Sequence, residues 1–365
     1  MFATVKNYGS DTNETTFMDT LYEKFLRPIF FRLGPERAHE YARNLLQSAS
    51  VLKPVCHFLA RRSHSAGGPV GLFGLQFPNR VGLAAGMDKD GDFVPASMAL
   101  GFGHVEVGTV TPKAQPGNPQ PRLFRYPEHE AIINRMGFNN RGAEAMVGRL
   151  KRLPPPGKRP GPIGVNIGKN KNTPLEKAES DYLSCFETLA DYADYFTVNV
   201  SSPNTEGLRE LQERDRLTSI LAELQRANGA RGSYRRPILL KIAPDLSFSQ
   251  IGEILEVIAD TGMDGIVATN TTISRDSLPE GEHERGGLSG KPLRRRSTDI
   301  IRFLSLETKG RLPIIGVGGI YDAVSAGEKI DAGASLVQVY TGWIYRGPFF
   351  AKELARALRF KGNAW

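Results

Sequence analysis

The chain has 365 residues, 40% of them apolar, a formal net charge of +8 and two cysteines, Cys56 and Cys185. That length suits one large α/β domain with a small addition, and two distant cysteines match neither a disulfide framework nor a metal spacing. No run of 18 apolar residues occurs, so no membrane span is expected, and the N-terminus lacks the zones of a signal peptide. The positive charge admits nucleic acid, an anionic membrane surface or an anionic small substrate as partner.

In chain order, residues 1–16 read as a disordered lead-in, and acids such as Asp11 and Glu14 argue against a transit peptide. Over 17–65 two amphipathic segments follow. Phe17, Leu21, Phe25 and Ile29 form a stripe interrupted near Pro28. In PERAHEYARNLLQSAS, Ala38, Tyr41, Ala42, Leu45, Leu46 and Ala49 recur at helical spacing, and Pro35 suits a first turn. Eight Lys/Arg against four Asp/Glu over 17–65 suit two short basic helices in a membrane interface. Simple packing on the following domain is the alternative.

From about Arg80, short β-branched runs alternate with helix-compatible segments: RVGLAAG, HVEVGTV, PIGVNIG, YFTVNVS, PILLKIA, GIVATN, PIIGVGG and SLVQVYTG. Eight such runs predict a (β/α)8 TIM barrel over 66–365, with a small N-terminal helical domain before it. An open doubly wound sheet is the structural alternative.

Barrel sites gather at the C-terminal ends of the strands. There the chain supplies Lys89, Thr109, Asn166, Asn199, Ser202, Lys241, Thr269, Asn270 and Thr271, and it closes on two glycine-bearing ends, GVGG and YTG. Such glycines suit a phosphate cradle, although ordinary turns use them equally well. No metal-spaced cluster, carboxylate pair or strand-end histidine is present. Amides, hydroxyls and lysines suit a planar heterocycle, with a phosphate-bearing cofactor supplying the redox chemistry.

The ordered motifs GLAAGMDKDG, GTVTPKAQPGNPQPRLFR, NRMGFNN, GVNIGKNK, NVSSPNT, KIAPDL, ATNTT, GGLSGKPL, PIIGVGGI and LVQVYTG carry a resemblance. From about Phe17 to the C-terminus the chain resembles dihydroorotate dehydrogenases of class 2, the quinone-linked, membrane-associated form. The resemblance implies oxidation of dihydroorotate to orotate in pyrimidine biosynthesis, with one FMN and a quinone, ubiquinone or menaquinone, as co-substrate. It implies FMN contacts from Ala85, Gly86, Met87, Asp88, Lys89, Thr109, Asn166, Asn199, Lys241, Thr269, Gly290, Gly319, Tyr340 and Thr341. Substrate contacts fall to Lys89, Asn134, Arg135, Met136, Gly137, Phe138, Asn199, Asn204, Asn270 and Thr271. His39, Arg125 and Tyr340 match family positions near the quinone.

By the same resemblance Ser202 takes the proton from carbon 5 while hydride leaves carbon 6. Class 1 relatives place cysteine there, so serine argues for class 2. Without the surrounding motifs, Ser202 would read as a turn residue before Pro203. His39 alone would read as structural, and Lys89 and Lys241 as solvated lysines. The stretches 1–16, 153–162 and 275–285 match no motif and read as linker or surface loops. The lack of a membrane span leads to the expectation of a peripheral, monomeric enzyme on the cytoplasmic face of a bacterial inner membrane. Other readings stay open: a class 1-like enzyme using fumarate or a nicotinamide, a non-redox phosphate-binding barrel, and a nucleic-acid-binding protein. The last is disfavoured by scattered basic residues.

Overall fold

The computed structural model describes residues 21–64, 68–281 and 283–359. The expected lead-in and the start of the first amphipathic segment at Phe17 lie outside them.

Three helical pieces come first. A wide turn, Tyr22–Leu26, runs into the helix Arg27–Arg32. The irregularity falls just before Pro28, which has no N–H to complete the preceding turn. Gly34 then breaks the chain, and the helix Pro35–Ser50 starts with proline in its first turn, where a missing N–H costs nothing. Lys53–His64 forms the third piece. Its Lys53 donates to the Arg152 carbonyl at 2.8 Å, while Arg43 pairs with Asp92 at 3.4 Å and Arg122 with Glu36 at 3.4 Å. The helices are thus docked on one side by charge, hydrogen bonds and apolar contacts such as those of Ala60 and Leu46. On the other side Leu45, Val51, Val55, Phe58 and Leu59 are exposed.

A hairpin, β1 (Val70–Leu72) with β2 (Leu75–Phe77), precedes the first barrel strand, β3 (Val81–Leu83). Then come β4 (His104–Val110), β5 (Leu123–Tyr126), β6 (Ala131–Asn134), β7 (Ile163–Ile167), β8 (Tyr195–Asn199) and β9 (Ile238–Ile242). The last four are β10 (Gly265–Ala268), β11 (Gly287–Gly290), β12 (Ile314–Val317) and β13 (Leu336–Val339). Strands β3, β4, β7, β8, β9, β10, β12 and β13 close a parallel barrel in that order, β13 pairing back to β3. All eight runs expected from the sequence are these strands, so the closed barrel is preferred over the open sheet.

Barrel interiors are packed by layers of side chains, and here the layers alternate large with none at all. A Cβ on Gly82 would fall 2.1 Å from the His104 ring, and one on Gly164 2.1 Å from the Tyr195 ring. Outside the barrel, helices such as Ala178–Leu189 and Arg214–Gly229 bury one apolar face each. The stretch 153–162 and the described part of 275–285 are loops, as expected. A second sheet was not anticipated: β5, β6 and β11 form an antiparallel trio, with β6 in the centre. It stands over the C-terminal end of the barrel and carries Asn134 and Gly290 to the site.

Candidate active site

The strand ends surround one pocket. Its wall includes Ala85, Gly86, Lys89, Thr109, Asn134, Met136, Gly137, Phe138, Asn199, Ser202 and Asn204. The opposite side adds Lys241, Thr269, Asn270, Thr271, Gly290, Gly319, Tyr340 and Thr341. Residues spread over more than 250 positions of sequence therefore meet because parallel strands deliver their C-terminal ends to one face.

Four expected contacts do not reach that wall. Asn166 lies behind it, fully buried, bonded to Thr109 at 2.6 Å and to Glu106 at 2.8 Å. Met87 and Asp88 face an adjoining cavity instead. Asp88 accepts the backbone N–H groups of Asp92 and Phe93, and burial raises its carboxyl to about 7. Arg135 turns outward, pairing with Glu284 at 2.6 Å and covering the Phe124 ring.

The pocket is a network of amides and hydroxyls. Asn199 donates to Thr109 at 2.9 Å and to Asn166 at 3.1 Å, and its Oδ1 accepts from Ser201 and Asn270. Asn204 donates to Asn134 at 3.0 Å, and its own Oδ1 is buried without a partner. Such an acceptor suits an N–H group of a bound molecule. The Asn204 backbone N–H lies 3.3 Å from the Ser202 Oγ. No histidine, aspartate or glutamate lies in this wall among the described residues.

Two lysines enter from opposite sides. Lys89 donates to Asn139 at 2.8 Å; burial, aided by Arg122, brings its ammonium down to about 7. Lys241 is buried and has no hydrogen-bond partner among the described residues. Burial lowers its affinity for the proton, and Glu106 opposes that shift. A buried amine that faces a pocket without a hydrogen bond suits an electron-rich ligand. At the far end the backbone replaces side chains. A Cβ on Gly319, at φ +72°, would sit 2.1 Å from the Arg294 Cα; one on Gly290, at φ +98°, would sit 2.2 Å from the Glu130 carbonyl. Close glycine backbone beside the first turn of the helix Thr341–Arg346 suits a phosphate.

The comparisons fit this geometry. The family model "Dihydroorotate dehydrogenase" matches residues 69–361. The chain belongs to the dihydroorotate dehydrogenase family. It is 51% identical over 329 residues to the dihydroorotate dehydrogenase (quinone) of Cellvibrio japonicus, covering 88% of this chain and 94% of that protein. With the protein of the same description from Christiangramia forsetii it shares 50% identity over 345 residues, 94% of this chain and all of the other. The crystal structure of DHODH in complex with ferulenol from Eimeria tenella superposes with a TM-score of 0.80 at 39% identity, covering 89% and 90% of the two chains.

Within this family frame, the remaining expected residues lie toward the helices. His39 lines the cavity that also holds Met87 and Asp88, and that cavity shares Lys89 and Met136 with the main pocket. Burial, reinforced by Lys89 and Arg43, pulls the His39 imidazole down to about 4, so it is neutral at pH 7. Arg125 lies 4.4 Å over the Phe31 ring and donates to the carbonyls of Phe30, Phe31 and Leu33. It thereby caps the C-terminal end of the helix Arg27–Arg32. Tyr340 lines the main pocket, its phenol pushed up to about 12 by burial.

Sequence reasoning missed three participants. Glu106 and Gln338 are long polar residues flanked by valines in the buried strands HVEVGTV and LVQV, which was a readable signal. Arg209 joins Ser201 and Thr271 through their carbonyls and pairs with Asp245 at 2.8 Å. Its place after Ser202 in the loop gave no comparable hint.

Proposed function

We propose that Ser202 accepts the proton from carbon 5 of dihydroorotate and that the surrounding amides hold the pyrimidine ring in register. The chain's reaction is the oxidation of dihydroorotate to orotate in pyrimidine biosynthesis, with FMN as cofactor and a quinone as terminal acceptor. When bound, FMN would supply the acceptor for the hydride from carbon 6 and the relay of its two electrons to the quinone.

The observation that carries the reading is the company Ser202 keeps: amides of Asn199, Asn204 and Asn270 around it, and no carboxylate or imidazole in the described pocket wall. A serine hydroxyl is a weak base, so catalysis must come from orienting Oγ toward the carbon 5 proton and from stabilising the negative charge that develops on the substrate as that proton leaves. The Asn204 N–H points at that oxygen. Asn199, Asn204, Asn270 and Asn134 match donors and acceptors to the ring's N–H and carbonyl groups, and Lys89 meets the carboxylate. Thr271, Met136, Gly137 and Phe138 shape the remaining wall.

The residues present fit FMN. Gly318, Gly319, Thr341 and Gly342 would hold its phosphate through backbone N–H groups. Lys241 and Thr269, with Ala85, Gly86, Thr109, Gly290 and Tyr340, would hold its ring system, and Lys241, when protonated, would favour the electron-rich reduced form. Asn166 would act from behind the wall through Thr109 and Asn199.

The helices of 21–64 form the quinone entrance and seat the chain, as a peripheral monomer, on the cytoplasmic face of a membrane. Ten of the fifteen exposed large apolar side chains among the described residues belong to this stretch. No helix there is long and apolar enough to cross a membrane. His39 lines the cavity next to the pocket and serves the quinone side, with Arg125 holding the adjacent helix.

Single-turnover reduction tests the central assignment. Under anaerobic conditions, Ser202→Ala loaded with FMN is expected to bleach with dihydroorotate about 10²- to 10⁴-fold more slowly than the parent, while still binding orotate. A variant that bleaches at the parent rate removes Ser202 from the role of base.

A further inference from the structure

Glu106 is fully buried in the barrel interior, on the inward side of β4. Four side chains donate to it, and the Lys241 amine interacts with its charge. Its Oε1 accepts from Asn166 Nδ2 at 2.8 Å; its Oε2 accepts from Gln338 Nε2 at 2.9 Å, Thr197 Oγ1 at 3.1 Å and the Tyr195 hydroxyl at 3.4 Å. A core position of this kind is filled most simply by an apolar side chain, since a buried carboxylate is costly unless its oxygens are satisfied. Packing alone therefore gives no account of Glu106.

The donors lead to one. An asparagine amide can sit in two nearly isosteric orientations, and only its partners decide which end donates. A carboxylate that only accepts leaves Asn166 no choice: its Nδ2 must face Glu106. Its Oδ1 then faces the pocket, where it accepts from Thr109 at 2.6 Å and Asn199 Nδ2 at 3.1 Å. Asn199 in turn presents Oδ1 on its far side, accepting from Ser201 Oγ at 3.1 Å and Asn270 Nδ2 at 3.2 Å. Asn270 is left with Oδ1 toward the Thr271 N–H, at 2.8 Å. Three amides are aligned in one sense from the barrel axis to the strand end of β10.

We propose that Glu106 is a positioning residue that sets the donor and acceptor polarity of the substrate site, acting through Asn166 on Asn199 and Asn270. The proposal rests on the reading that Asn199 and Asn270 hold the pyrimidine ring. Hydrogen-bonded chains of this kind strengthen one another, and a single reversed member leaves unpaired groups along the line. Replacing the carboxylate by an amide supplies a donor where only an acceptor stood, so the orientation of all three asparagines is no longer fixed.

The test is calorimetric titration of the full-length, FMN-bound protein with orotate. Glu106→Gln is expected to raise the orotate Kd at least about tenfold, with the thermal midpoint and FMN content of the parent. Loss of the buried negative charge also removes the support that Glu106 gives to protonated Lys241, an effect absent from Asn166→Leu, so that variant is titrated beside E106Q. Tyr195→Phe, which removes one donor to Glu106 and no amide, is expected to keep the parent Kd within twofold. Asn166→Leu cuts the chain one link further on and is expected to weaken orotate to the same extent, and it stands in for E106Q should the latter not fold. Unchanged or tighter binding in E106Q or in N166L overturns the proposal. Asn270→Ala separates the two levels: if it binds orotate like the parent, the reading of the amides as ring contacts fails first.

Discussion

The barrel pocket and the N-terminal helices are built on opposite plans. In the pocket, polar groups are buried and tied to one another across strands; Asn166, Asn199, Ser202 and Lys241 are all at most 5% exposed. Over 21–64 polar groups and a few apolar side chains such as Ala60 and Leu46 dock the helices inward, while most large apolar side chains face out, Phe58 at 62% and Val51 at 75% exposure. A pocket of fixed amides selects a small polar substrate by matching hydrogen bonds, each costly to leave unmade. An exposed apolar surface recognises area rather than pattern, which suits a lipid phase and a quinone dissolved in it. The two half-reactions are therefore separable by mutation.

The largest effect expected on the helical side comes from Phe58→Asp combined with Leu59→Asp. Both side chains are exposed, so the fold should be unaffected. Each apolar side chain withdrawn from lipid removes about 1.5–3 kcal/mol, so vesicle binding should fall at least about a hundredfold for the pair. Dihydroorotate should still bleach the flavin at the parent rate. Flotation with anionic vesicles and stopped-flow reduction measure the two arms; slowed bleaching would break the separation of the regions.

A smaller effect concerns charge in the pocket. The Lys89 ammonium is brought down to about 7, so in the free pocket it is protonated below that pH and neutral above it. Attraction for the orotate carboxylate is present at pH 6 and lost as the pH rises. Orotate affinity should fall by up to about tenfold per pH unit above 7, with proton uptake on binding. Titrations in two buffers of different ionisation heat reveal the uptake, and a flat profile from pH 6 to 9 contradicts it.

The smallest effect lies at the edge of the pocket. Arg209 ties the loop after Ser202 to the Thr271 carbonyl and to Asp245, whose carboxylate also accepts the Thr272 hydroxyl. A lysine keeps the charge but cannot make the forked set of contacts. Arg209→Lys should raise the KM for dihydroorotate several-fold and hasten proteolysis within 203–213, with orotate restoring protection. Equal cleavage with and without orotate would show that the loop does not respond to the site.

Much of this was legible in the sequence, for definite reasons. The eight barrel strands are short, buried on both faces and rich in Val and Ile, so β4 and β8 stand out without tertiary information. Strand-end asparagines and lysines were readable because barrel topology assigns them to one face. The sheet of β5, β6 and β11 was not, since its strands fall outside the alternation of strand and helix and β11 pairs with β6 from more than 150 residues away. Arg135 and Asp88 show the limit of motif transfer: both stand within informative runs, yet the backbone turns one to solvent and the other to a neighbouring cavity. The stripe on the helix Pro35–Ser50 divides in the same way, Leu46 packing inward while Tyr41 and Leu45 face out. Periodicity marks an apolar stripe without saying which half finds a protein partner.

The most direct test of the account is the visible spectrum of the FMN-bound, full-length protein followed through both half-reactions without oxygen. Dihydroorotate should bleach the flavin band stoichiometrically, and a short-chain quinone should restore it, whereas fumarate and nicotinamide nucleotides should not. A flavin that dihydroorotate fails to bleach, or that fumarate reoxidises as fast as quinone, would contradict the assignment of the two regions.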